Sequence, residues 1–306
     1  MISAIIAHIS ISVGMSLRIN LRFPNLYCHR RLNLAALALL RLCLEMKPAF
    51  FSPPQFSCRF IPIWRRNFLV WKKMAGASVL GHLADPVIYM LGLGYGLGGM
   101  LPEINGMSYI SFLAAGTVCY STMNSASFEA LYSGFSRMHE QRTWEAILNT
   151  PITLDDIVFA EIVWAASKSL LSGVAVLIVV WILGLSHSLL SLWIIPLSLL
   201  VGLCFASLGL IMTSLAPGYD FFMYYFTLVI TPMVLLCGVF FPVEQLPPFL
   251  QTVSSILPLT HAINLARPLM NNAIPADIIF HIGVLFAYAL SGFYVSLVLF
   301  RRRLSQ

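Results

Sequence analysis

Apolar and polar positions alternate along this chain in blocks rather than in single steps. Six apolar runs stand out, at residues 79–98, 109–131, 157–183, 190–215, 221–241 and 278–300, each near the ~20 residues a helix needs to cross a bilayer. Between them lie short polar joints and two longer ones, residues 134–156 and 241–270. This pattern predicts an all-α integral membrane fold with six transmembrane helices.

Residues 63–74 precede the first run and are patterned differently. Trp64, Phe68 and Trp71 fall on one helical face, while Arg65, Arg66, Lys72 and Lys73 fill the other. Aromatics on one side and cations on the other predict a helix lying flat in the membrane interface. The amino-terminal part has two apolar patches, residues 2–13 and 32–44, each too short to span. Arg18, Arg22, Arg30 and Arg31 ahead of the second patch, with residues 32–40, have the look of a signal-peptide n-region and h-region, but no A-x-A-like cleavage site follows. The expectation is that residues 1–45 lie outside the working fold, that Met46 is the natural start, and that residues 46–306 form one transmembrane domain. Pro48, Pro53, Pro54 and Pro62 make the connection extended.

Composition strengthens the membrane reading. The 306 residues are 59% hydrophobic and only 10% charged, with a mean hydropathy of +0.85, outside the range of soluble domains. The net charge of +6 does not indicate nucleic acid, because the cations sit at the ends of apolar runs. Arg59, Arg65, Arg66, Lys72, Lys73, Arg137, Arg142 and Arg301–Arg303 fall on one side of the predicted bilayer and only Arg267 on the other, which puts both termini in the cytoplasm. The six cysteines are scattered, without C-x-x-C or metal spacing.

The joint at residues 134–156 is the longest charge-rich stretch between two runs. Within it Trp144, Ile147 and Leu148, at i, i+3, i+4, give a short helix an apolar ridge between Arg142 and Glu145. So short a helix needs a surface to pack on. It reads either as the contact through which a cytoplasmic partner moves the membrane part or as a solvated loop with one helical turn. Thr153 and Asp156 then open the third run as a capping box.

Other motifs divide between chemistry and structure. Gly94 to Gly99 matches G-x-G-x-x-G, but no strand precedes it; Gly92/Gly96 and Gly94/Gly98 instead allow close helix approach or a flexible span end. No G-x-x-x-x-G-K-[ST] occurs, so the chain has no phosphate-binding loop of that type for ATP. Glu161, Trp164 and Lys168 share one stripe of the third run, so Glu161 and Lys168 either line a polar path or reach toward the interface. His82 and Asp85 read as a proton relay or a polar entry turn. Tyr219, Phe221, Phe222, Tyr224, Tyr225 and Phe226 form an interfacial aromatic belt or a surface for sugar rings. The proline-broken stretch 241–270 predicts two short outer helices, either a re-entrant pair with His261 and Arg267 near an outer gate or a plain outer loop.

Taken together, W-R-R-N-F-L-V-W-K-K at 64–73, Gly134–Arg137 with Q-R-T-W-E-A at 141–146, L-A-P-G-Y-D at 215–220, and the run from F-P-V-E-Q-L-P at 241–247 to P-L-T-H-A-I-N-L-A-R-P at 258–268 resemble the ABC-2 export permeases, and within them the nodulation protein J subgroup. The resemblance covers residue 62 to the carboxyl end. It implies an inner-membrane permease that pairs with a separate cytoplasmic ATPase of the nodulation protein I type, which would carry ATP and magnesium; a homodimer is expected on other grounds, because six spans leave one face of the bundle for a twofold partner. It further implies an interfacial helix at 63–74, a coupling helix near 142–148, re-entrant helices near 246–270, and a lipo-chitooligosaccharide or related glycolipid as cargo. No cofactor and no bond chemistry are expected in this chain. A proton-coupled secondary transporter using His82/Asp85 and Glu161/Lys168, or a membrane-bound transferase, are the rival readings.

Overall fold

The computed structural model describes residues 51–304 except 56, 101, 102, 105 and 187, together with the backbone but not the side chain of His82. The predicted extension at residues 1–45 lies outside the described residues. Everything described is helix or connection, with no strand beyond an isolated bridge between Ile104 and Met107.

Eleven α-helices follow one another among the described residues. They are α1 (Phe60–Lys72), α2 (Ala75–Gly98), α3 (Tyr109–Phe128), α4 (Thr143–Leu148), α5 (Leu154–Ile182), α6 (Ile194–Leu215), α7 (Asp220–Tyr225), α8 (Thr231–Leu236), α9 (Pro248–Ile256), α10 (Pro258–Met270) and α11 (Ile278–Leu304). Local chemistry sets several of their ends. The Thr153 hydroxyl accepts from the Asp156 amide at 3.2 Å and Asp156 accepts from the Thr153 amide at 3.4 Å, the predicted capping box at the start of α5. Pro248 and Pro258 occupy the first turns of α9 and α10, where a missing amide hydrogen costs nothing.

Four helical stretches are long and apolar enough to cross a membrane: Ala75–Gly98, Leu154–Ile182, Leu189–Leu215 and Ile278–Leu304. They coincide with four of the six predicted runs. The other two runs take different forms. Helix α3 is long enough but carries Thr117, Ser121, Thr122, Asn124, Ser125 and Ser127, and neighbouring helices bury most of it. A helix so enclosed needs no lipid-compatible surface. The fifth run is divided into α7, a π turn (Phe226–Ile230) and α8, together a shorter apolar stretch, Asp220–Leu236.

Small residues bring the central helices together, but not those the sequence singled out. A Cβ on Gly202 of α6 would lie 2.9 Å from the Ala166 backbone of α5, and one on Gly116 of α3 would lie 2.7 Å from the Val239 carbonyl. Between the glycines, Ser169 donates to the Thr122 carbonyl at 2.9 Å and Ser121 bonds Ser172 at 2.7 Å. Close backbones and interhelical hydroxyl bonds are what holds helices where apolar burial gives no advantage over lipid. Of the run at 92–99, Gly94 meets Ile110, whereas Gly92 and Gly96 have nothing within 4 Å.

The polar end of the bundle is tied across distant segments. Arg301 at the end of α11 bonds Asp155 at 2.6 Å and the Ser52 carbonyl at 2.7 Å. Asp156 accepts from the Ser57 hydroxyl, and Arg59 donates to the Pro151 carbonyl. Arg301 of α11 thus closes the start of α5 against the segment leading into α1.

Candidate functional site

Just above this tied end, two carboxylates lie inside the bundle. Glu129 opens a π turn that continues α3 (Glu129–Ser133), and a second π turn follows (Ser136–Glu140). Such single wide turns are frequent at functional positions. Here they carry Arg137 back toward both acids. Arg137 Nη1 bonds Glu129 at 2.9 Å, and its Nε reaches the two Glu161 oxygens at 3.0 and 3.1 Å. Lys168 Nζ donates to Glu129 at 2.8 Å, Trp164 Nε1 donates to the same carboxylate at 2.7 Å, and Asn67 Nδ2 of α1 reaches Glu161 at 3.3 Å. Both carboxyl groups are 3% exposed, so each needs its cation and its hydrogen bonds to stay charged. The cluster joins α1, α3 and α5 in one network.

Glu161 and Lys168 therefore share a site, as their common stripe suggested, but each pairs with a residue that sequence reasoning did not choose. Glu129 and Arg137 were the signal available: opposite charges eight residues apart, two helical turns, at the edge of an apolar run. Asn67 gave no signal beyond its place on α1. Lys168, Arg66, Trp71, Trp164, Tyr132 and Tyr219 line a cleft of about 480 Å³ opening from this cluster.

Helix α1 lies against α5 by its aromatic face. Trp64 Nε1 donates to Ser167 at 3.0 Å, and Trp64, Phe68 and Trp71 surround the Trp164 ring at 6.1 to 6.4 Å. The rings expected to dip into lipid are thus spent largely on the protein, because the partner Trp164 is already fixed by Glu129. Ile61, Leu69, Val70 and Met74 are the exposed apolar residues of this segment instead. Arg65, Lys72 and Lys73 stay exposed and Arg66 is half-buried. Burial first, and Arg137 second, lower the Arg66 pKa.

The short helix α4 forms where the ridge predicts it, but the ridge divides. Arg142 has a left-handed backbone (φ 47°), which turns the chain sharply into α4. Trp144 is 1% exposed and packs on Phe300 of α11 at 4.9 Å. Ile147 is half-buried beside it, while Arg142, Glu145 and Leu148 face outward. Trp144 anchors the helix to the bundle; the outward surface is made by the other three.

At the opposite end of the bundle His261 is buried, while Arg267 is half-buried and lines a cavity of about 280 Å³ with Asn264, Pro268, Ala276 and His281. His261 Nδ1 lies 2.7 Å from His281 Nδ1, and its Nε2 lies 3.0 Å from the Ser255 carbonyl. The carbonyl only accepts, so His261 carries its proton on Nε2 and His281 donates to His261 Nδ1. Arg267 donates to the Gly238 carbonyl at 2.6 Å and lies 3.7 Å over the Phe112 ring. In the stretch 219–226, which packs on Tyr132 and Phe135 beside the charged cluster, Tyr224 is exposed and Tyr225 buried, so its aromatics are divided between surface and core. Asp85 is exposed and joins no part of the cluster; the His82 side chain lies outside the described residues. Among the described residues no three His, Cys, Asp or Glu side chains gather to hold a metal ion.

These features have counterparts in known proteins. A family model described as ABC-2 type transporter matches residues 59–271. Nodulation protein J of Rhizobium leguminosarum bv. viciae is 51% identical over 251 residues, covering 82% of this chain and 97% of that protein. Nodulation protein J of Rhizobium meliloti (strain 1021) is 49% identical over 251 residues, covering 82% and 96%. The inner membrane transport permease YadH of Escherichia coli (strain K12) is 24% identical over 206 residues, covering 66% and 78%. A bundle of membrane-length apolar helices with a short outward-facing helix at its charged end, matched by this family model over well more than half of its length, is a membrane transport subunit: the chain belongs to the ABC-2 type transporter family.

Proposed function

We propose that this chain is the permease of an ATP-driven exporter in a bacterial inner membrane, working as a homodimer with a separate ATPase of the nodulation protein I type. Its cargo is a lipo-chitooligosaccharide or a related glycolipid. The observation carrying the cargo is the identity of about half the residues over nearly the whole length of nodulation protein J. In this reading α3 and the stretch from α7 to α8 complete six spans, both termini face the cytoplasm, and α9 and α10 form a re-entrant outer pair.

The mechanism follows from how α4 is mounted. Nucleotide-driven closure of the ATPase presses on Arg142, Glu145 and Leu148. Trp144 passes that load to α11, and the Thr153–Asp156 cap begins α5 five residues after α4 ends. Tilting of α5 strains the Glu129–Arg137–Glu161–Lys168 network and opens a path for an amphipathic substrate. ATP and magnesium belong to the partner, and this chain performs no bond chemistry.

The test is reconstitution with the nodulation protein I type ATPase in vesicles. Leu148→Asp, which leaves the Trp144 anchor in place, is expected to abolish glycolipid export while ATP hydrolysis continues. Undiminished export by this variant would remove α4 from the coupling path. Export that persists without nucleotide and collapses with the proton gradient would favour the secondary-transporter reading. The geometry gives that rival little support, since Glu161 and Lys168 are each bound to an opposite charge.

A further inference from the structure

Charge in the cleft below α1 does not balance. Glu129 and Glu161 bring two negative charges, and Arg137 and Lys168 neutralise them. Arg66 is a third cation lining the same cleft, and its bonds go to neutral atoms, Asn67 Oδ1 at 3.2 Å and Thr143 Oγ1 at 3.4 Å. A second observation concerns a donor. Trp71 also lines the cleft, and its Nε1 is buried and has no hydrogen-bond partner. An orphaned buried N–H costs about 1–3 kcal/mol unless something accepts from it. Lys168 is a third donor within reach of such a group. If it turns into the cleft, Glu129 keeps both Arg137 and the Trp164 N–H. Val70 and Met74, at 59% and 70% exposed, extend this wall with apolar surface.

We propose that this cleft binds the phosphate of an anionic inner-leaflet lipid, one whose headgroup brings no compensating cation against Arg66 and Lys168, through Arg66, Lys168 and the Trp71 indole N–H. A guanidinium, an ammonium and an indole N–H are all donors, so together they suit an anion with several acceptor oxygens. Val70 and Met74 offer the adjoining surface to the lipid's glycerol and acyl carbons. A bound lipid would staple α1 to the cluster and tie the cluster's state to the composition of the leaflet. The inference rests on the proposed placement of α1 in the inner interface, but its test needs no ATPase and no exported substrate.

The full chain is purified in detergent with equal phosphatidylglycerol and phosphatidylcholine, and retained lipid is counted by native mass spectrometry at high salt, where exposed charges are screened. Retention of phosphatidylglycerol about tenfold over phosphatidylcholine is expected, the worth of one charge-assisted bond. Arg66→Gln is expected to remove that preference. Trp71→Phe, which keeps the ring and loses only the N–H, should reduce it about threefold. Arg302→Gln takes the same charge from an exposed position at the end of α11 and should leave the preference within about twofold. Millimolar inorganic phosphate that fails to displace the lipid supports the proposal; displacement would assign the site to a soluble phosphate and overturn the lipid. Equal retention of the two lipids, or equal losses in Arg66→Gln and Arg302→Gln, would overturn the site altogether.

Discussion

The two ends of this bundle bury cations by opposite means. At the charged end Arg137 and Lys168 are held by Glu129 and Glu161, in a network that spans three helices and includes Trp164 and Asn67. At the other end Arg267 rests on a backbone carbonyl and a ring face, its Nε without a partner, and the neighbouring His261 and His281 share one neutral hydrogen bond. Paired charges in a low-dielectric surrounding resist separation strongly, whereas neutral bonds and ring contacts exchange with small loss. The comparison teaches that the charged end is built to transmit a push as a unit, and the other end to rearrange.

Three substitutions test that contrast. The largest effect is expected from Glu129→Ala, which strands Lys168, takes one of two carboxylates from Arg137 and should cost about 3–5 kcal/mol. Thermal unfolding in detergent reads it, and adding Lys168→Met should restore part of the loss because one stranded charge is removed. Next comes Arg267→Met, which leaves the Gly238 carbonyl unsatisfied while preserving bulk against Phe112; about 1–2 kcal/mol is expected in the same measurement. A loss equal to that of Glu129→Ala would erase the distinction between the ends. The smallest is Thr153→Ala, which removes the cap of α5 and should cost about 1 kcal/mol. Its sharper readout is hydrogen exchange, expected to rise in the first turn of α5 and not in α10.

Much of the fold was legible in order along the chain. The four membrane-length apolar stretches, the capping box at Thr153, the break at Pro258 and the short helix at 143–148 all follow from local rules that need no knowledge of neighbours. The site was legible only in part. Glu161 and Lys168 were picked out by depth in an apolar run, but their partners Arg137 and Glu129 were not, because two π turns between residues 129 and 140 shift the side-chain register that helical spacing assumes. Likewise the spacing of Trp144, Ile147 and Leu148 predicts a ridge that needs a surface but not which one, and α11 supplies it for Trp144 by presenting Phe300.

Hydrophobic run lengths, cap residues and the placement of cations are properties of a chain and its solvent, and for this protein they determined a helical membrane fold with one charged end. Which acid meets which base, which aromatic face is spent on a neighbour, and which donor is left without a partner depend on segments from eight residues apart, as in Glu129 and Arg137, to about a hundred, as in α1 against α5. Those pairings are set by helix packing, where several arrangements satisfy the same sequence pattern and only the contact geometry selects among them.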